Sequence, residues 1–137
     1  MIECISHITF VVKNLDKTTQ LFKELFNAKE VYYSGETKHS LFKERFFILG
    51  SQWIAVMEDA NILNRTYHHI AFKILDSDVD NYLNKIKTLN LELKPPRRRV
   101  SGEGYSIYFY DYDNNLFELH TETLEKRLAS YTKIDNI

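Results

Sequence analysis

Three residues in apolar stretches carry side chains that could share one chemistry. They are His7 in "SHITFVV", His69 in "YHHIAFKI" and Glu118 in "NNLFELH". Imidazole nitrogens and a carboxylate oxygen make a mixed N/O divalent site, suited to Mn, Fe, Zn, Ni or Co. Three protein ligands leave positions open for a substrate. A carboxylate in the middle of an apolar strand is costly to bury unless it is paired or bound to metal. The two histidines are related as well as similar. "HITF" falls on "HIAF" at an offset of 62 residues, so His7 and His69 hold the same place in an internal repeat.

Strand parity decides which neighbours can join them, because successive strand residues point to opposite faces. His7, Thr9 and Val11 share one face of the first strand, and Ile8, Phe10 and Val12 the other. His69, Ala71 and Lys73 share a face in the later strand, which sets His68 on the opposite side as a partly exposed structural residue. Glu118 shares its face with Leu116 and His120. The apolar faces are expected to pack on helices, and the histidine faces to line a cup if the two sheets curl together. Applied to Glu118, the repeat offset lands near Val56, which cannot coordinate. A metal with vacant positions is therefore expected, rather than a closed structural one.

The elements that must position these residues follow from the pattern. Strands are predicted at about 4–12, 29–34, 39–43, 45–49, 52–58 and 67–74, then in "LELK", "YSIYFYD" and "LFELHT". A helix opens at Asn14, with Leu15, Thr18, Leu21, Phe22 and Leu25 on one side. A second starts near Asp76, with Val79, Tyr82, Leu83 and Ile86 as its stripe. A short helix covers about 123–131, and residues 132–137 are expected to fray. With 39–43 and 45–49 counted as one interrupted strand, the order is βαβββ followed by βαβββ, an α+β chain of two modules, about 1–60 and 65–122, in one domain over 1–131.

Composition bounds the rest. The chain has 137 residues, 44% hydrophobic and 14% aromatic, enough for one packed core. A formal net charge of −1 gives no global basic field for nucleic acid. The single Cys4 excludes an internal disulfide framework and a cysteine zinc cage. No apolar run approaches a membrane span, and no secretory signal pattern opens the chain. A soluble cytoplasmic protein is the expectation.

The paired modules, with "SHITFVVKNLDKTTQLF", "YHHIAFKI" and "GEGYSIYFYDYDNNLFELHTETLEKRL", resemble the vicinal oxygen chelate (glyoxalase/bleomycin resistance/dioxygenase) superfamily. Within it they are most similar to the fosfomycin resistance proteins of the FosX type, over about residues 1–131. The resemblance implies a Mn(II)-dependent homodimer with exchanged modules, whose mixed sheets cup the metal. Each site would take His7 from one subunit and His69 with Glu118 from the other. It also implies a substrate, fosfomycin, a small epoxide carrying a phosphonate.

Among such relatives the ring is opened by glutathione, by bacillithiol or by water. The water-using type has a glutamate in the segment between the first module's strands, a role that falls on Glu44 in "SLFKERFFIL". On sequence alone Glu44 reads as a solvated hairpin charge. Substrate contacts implied by the resemblance are Thr9, Trp53, Tyr67, Arg98, Ser106, Tyr108 and Arg127. Thr9 stands where the bacillithiol-using type often has cysteine, and Gly102 where the glutathione-using type has a serine near its monovalent cation. No thiol cosubstrate is expected. A thiol transferase and a drug-binding module without turnover are the competing readings.

Overall fold

In the first half of the chain, a helix is laid across a sheet for a reason visible in its ends. The computed structural model describes residues 1–37, 41–61, 64–96, 101 and 104–135. It divides into two units, Met1–Asn64 with Tyr112–Asn114, and Arg65–Asp111 with Asn115–Ile137.

The first unit runs β1 (His7–Val12), α1 (Leu15–Phe26), β2 (Lys29–Tyr33), β3 (Glu44–Leu49) and β4 (Gln52–Glu58). The Asn14 side chain caps α1 by accepting from the Lys17 amide at 2.9 Å. Glu58 accepts from the Leu15 amide at 2.9 Å, tying that helix end to the end of β4. Asn27, at φ 52°, ends the helix in the left-handed conformation. The sheet order is β1-β4-β3-β2, with β1 parallel to β4 and the other pairs antiparallel. The two-residue turn Gly50–Ser51 joins β3 to β4, and the positive φ of Gly50, 60°, is a conformation glycine adopts without cost.

Leu15, Leu21, Phe22 and Leu25 of α1 are buried, as are Phe10, Val12, Phe47, Ile54 and Val56 of the sheet. The rings of Phe22 and Phe47 lie 5.2 Å apart, those of Phe22 and Phe10 6.3 Å. Phe47 is fully buried. Phe47→Ala should cost about 3–5 kcal/mol by chemical denaturation. A loss below about 1 kcal/mol would contradict this packing.

The second unit repeats the plan. It runs β5 (His69–Lys73), a 3-10 turn at Asp76–Asp78, α2 (Val79–Thr88), β6 (Glu92–Leu93), β7 (Ser106–Tyr110), β8 (Leu116–His120) and α3 (Leu124–Asp135). Its sheet order is β5-β8-β7-β6, again with the first strand parallel to the last. The hairpin between β7 and β8 closes through Asp111, whose carboxylate accepts from the Asn115 amide and side chain, both at 2.8 Å.

Several boundaries differ from the sequence expectation. Residues 4–6 are not strand, because the pairing with β4 starts at His7, opposite Trp53. The later strand likewise begins at His69, not 67, which leaves His68 exposed just before it. Of the strand expected at 39–43, the described residues 41–43 are bend and coil, and pairing starts at Glu44. α3 runs to Asp135, beyond the end expected near 131. No glycine or proline interrupts it, and Ser130 Oγ donates to the Ser101 carbonyl.

The register also refines the repeat. Thr9 pairs with Ala55, and its counterpart Ala71 pairs with Glu118. The counterpart of Glu118 is thus Ala55, one residue from Val56 and equally unable to coordinate.

Candidate metal centre

Each sheet gathers chemistry on one face. In the first unit, register places His7 beside Trp53, Thr9 beside Ala55, Ala55 beside Phe46, and Glu44 beside Met57. His7, Thr9, Trp53 and Glu44 therefore share a face, opposite the one carrying the buried Phe10, Val12, Ile54 and Val56. His7 and Thr9 are exposed. The His7 ring stacks on Trp53 at 4.2 Å, and its Nδ1 lies 3.1 Å from Ser6 Oγ.

Glu44 corrects the reading of a solvated hairpin charge, for its side chain is buried. Its backbone is fixed by Ser34, which donates its amide to the Glu44 carbonyl and accepts the Glu44 amide on Oγ, both at 3.0 Å. Glu44 Oε2 has no hydrogen-bond partner among the described residues. Leaving a carboxylate oxygen dry and unpaired costs a few kcal/mol, and it leaves that oxygen able to accept a proton from a bound molecule. Trp53 Nε1 is buried without a partner in the same way.

In the second unit His69, Glu118, Tyr108, Ser106 and His120 share one face. Glu118 is buried at its centre. His69 Nε2 lies 3.1 Å from Glu118 Oε1, and Ser106 Oγ lies 2.5 Å from Glu118 Oε2. Tyr67 meets His69 edge-on at 5.1 Å, and Tyr108 meets it at 5.4 Å. Tyr67 is mostly exposed, so it is no core aromatic. Arg127 is no plain surface charge either, because its Nη2 lies 3.0 Å from His120 Nε2. A cavity of about 350 Å³ opens here, lined among others by His69, Glu118, His120, Thr123 and Arg127. That volume suits a small ligand.

Burial pushes the Glu118 carboxyl up. Hydrogen bonds from Ser106 and Tyr108 and the nearby His120 and His69 rings outweigh it and hold the carboxyl below the usual glutamate range. Burial, with hydrogen bonds to Tyr67 and Glu118, pushes the Tyr108 hydroxyl up to about 12, so it stays a donor at neutral pH.

The donor set fits a divalent cation for a local reason. The Tyr67 carbonyl can only accept, and His69 Nδ1 lies 2.8 Å from it, so that nitrogen carries the proton. In the neutral ring Nε2 is then a lone pair, facing a carboxylate oxygen at 3.1 Å. Two electron-rich atoms at that distance need a cation or a proton between them. Among the described residues no group of three His, Cys, Asp or Glu side chains is arranged to hold a metal. The second unit supplies two of the expected ligands, and His7 stands on the first unit's sheet.

Of the sequence-derived residues, Arg98 lies outside the described residues, as does Gly102. The other substrate candidates, Thr9, Trp53, Ser106, Tyr108, Tyr67 and Arg127, stand on or beside the histidine faces. Sequence reasoning missed His120. Its signal was present in the parity shared with Glu118, but one more histidine on a strand carries little weight until its register partner is known to be Ser106.

Residues 4–119 match the family model of the Glyoxalase/Bleomycin resistance protein/Dioxygenase superfamily. The chain is 53% identical over 133 residues to the fosfomycin resistance protein FosX of Listeria innocua, covering 97% of this chain and 100% of that protein. It is 35% identical to the metallothiol transferase FosB of Shouchella clausii, covering 97% and 90%. A crystal structure of a glutamate variant of FosX from Listeria monocytogenes, complexed with Mn(II) and 1S,2S-dihydroxypropylphosphonic acid, superposes with a TM-score of 0.89 at 54% identity. It covers 94% of this chain and 99% of that one. The chain belongs to the glyoxalase/bleomycin resistance protein/dioxygenase superfamily, among its FosX-type fosfomycin resistance proteins.

Proposed function

We propose that this protein is a Mn(II)-dependent hydrolase that inactivates fosfomycin by adding water to its epoxide ring, giving the diol. The observation that carries this is near-full-length similarity, at 53% identity, to FosX. A relative of this kind also holds Mn(II) and a dihydroxypropylphosphonate, the hydrated form of such an epoxide.

The residues divide the work as follows. His7 of one subunit joins His69 and Glu118 of the other as metal ligands, in a cytoplasmic homodimer with exchanged modules. The bound metal supplies Lewis acidity to the epoxide oxygen, offsetting charge as the C–O bond breaks. Glu44 takes a proton from the attacking water as the water oxygen bonds to an epoxide carbon, and solvent returns a proton to the released ring oxygen to give the diol. The buried, unpartnered Oε2 of Glu44 supports that role. Arg127, Arg98 and the hydroxyls of Thr9, Ser106 and Tyr108 hold the phosphonate, and Trp53 and Tyr67 flank it. Guanidinium and hydroxyl donors match the oxygens of such an anion.

The FosB likeness, at 35% identity, supports a thiol transferase as the second reading. Water is a weak nucleophile and needs a base, whereas a thiolate does not, so the buried Glu44 favours hydration. Phosphorus NMR of fosfomycin with the Mn(II)-loaded protein separates the two. The diol should form without thiol, and neither glutathione nor bacillithiol should speed loss of substrate. Turnover only with thiol would make the transferase the correct reading. No turnover with the drug bound would make it a binding module.

A further inference from the structure

Beside the proposed metal ligands runs a chain of polar contacts whose direction can be read from its two ends. Arg127 Nη2 lies 3.0 Å from His120 Nε2. His120 Nδ1 lies 2.6 Å from Ser106 Oγ, and Ser106 Oγ lies 2.5 Å from Glu118 Oε2. A guanidinium can only donate, so His120 Nε2 must accept and the ring proton sits on Nδ1. An ionised carboxylate can only accept, so the Ser106 hydroxyl gives its proton to Glu118 and must itself accept from His120. Both ends require the same tautomer.

We propose that His120 is a positioning residue: fixed as its Nδ1–H tautomer by Arg127, it orients Ser106 to hold Glu118 Oε2, leaving Oε1 as the oxygen offered beside His69 Nε2. This rests on the reading of Glu118 and His69 as metal ligands. Outer partners of this kind tune ligand orientation and basicity. The direction of the chain also rules out a nucleophile-and-base reading of Ser106 and His120. The ring nitrogen facing the hydroxyl already carries a proton, and the other is engaged by Arg127. Arg127 also lines the cavity beside Glu118, and one contact to His120 leaves it further N–H donors. An anion drawn to Arg127 therefore acts on the far end of a chain that terminates on the metal-binding carboxylate.

Two measurements on the full chain test this. Long-range proton–nitrogen NMR of the nitrogen-labelled, metal-free protein should show His120 protonated on Nδ1 and bare on Nε2. Mn(II) titration calorimetry then compares His120→Asn with His120→Gln. The asparagine amide sits where Nδ1 was and keeps a donor for Ser106, so Mn(II) affinity should be retained while KM for fosfomycin rises about tenfold. The glutamine amide sits where Nε2 was and keeps an acceptor for Arg127, so Mn(II) affinity should fall about 10–100-fold with KM less affected. A His120 ring protonated on Nε2, or a glutamine variant that binds Mn(II) as tightly as wild type, overturns the chain. The tautomer measurement needs no variant, so a misfolded substitution does not rescue the idea. Wild-type protein that binds no Mn(II) overturns the metal assignment instead, and with it the role given to His120.

Discussion

Glu44→Gln should lower kcat for fosfomycin hydration by about 10²–10⁴, the usual worth of a positioned general base, while Mn(II) affinity stays at the wild-type value. Glu44 begins β3, its backbone pinned by Ser34 and its carboxylate buried with Oε2 unpartnered. Glutamine keeps the volume and the backbone contacts and removes only the capacity to take a proton. Stability should therefore hold or rise slightly, since a buried charge with a dry oxygen is replaced by a neutral amide. Glu44→Gly should lose hydration as well, and some stability with it, since glycine in a strand is unfavourable. Steady-state rates and Mn(II) calorimetry on the same preparations separate the two effects. A glutamine variant that hydrates fosfomycin at the wild-type rate would remove Glu44 from the chemistry.

The second large effect is loss of the metal. Chelation should abolish turnover in wild type, and added Mn(II) should restore it. In His69→Ala or Glu118→Ala it should not. Affinity should fall by more than the ~10–100-fold typical of losing an outer partner, because a direct ligand is gone. The rate should fall about a thousandfold or more, since Lewis-acid stabilisation is worth several kcal/mol. The two variants differ in stability. Glu118 is buried, and Ser106 is left with an unused donor when it goes, so Glu118→Ala should destabilise by about 1–3 kcal/mol. His69 is only half-buried and should be better tolerated. Restoration of either variant by Mn(II) at wild-type concentrations would contradict the ligand assignment.

Much of the candidate site was legible in the sequence. Parity alone put His7 with Thr9, His69 with Ala71 and Glu118 with His120, because a strand's period leaves no choice once one face is apolar. The offset between "HITF" and "HIAF" gave the repeat, and β1 and β5 take equivalent places in their sheets. Features set by partners outside the local segment were not legible. Whether Cys4–Ser6 joins β1 depends on where pairing with β4 begins, some fifty residues on. The burial of Glu44 depends on packing around β3, so its sequence context of Lys43 and Arg45 suggested water instead. His120 became meaningful only when register set it against Ser106 and α3 brought Arg127 to its far side. The proposed exchange of modules between subunits has no local signature, and only the family resemblance implies it.

The central claim is that water, not a thiol, opens the epoxide. Its most direct test is fosfomycin turnover by the Mn(II)-loaded protein in water labelled with heavy oxygen, thiol absent, with the product identified by phosphorus NMR and mass spectrometry. The product should be a dihydroxypropylphosphonate carrying one labelled oxygen. No product without thiol, and a thioether adduct once glutathione or bacillithiol is added, would contradict it.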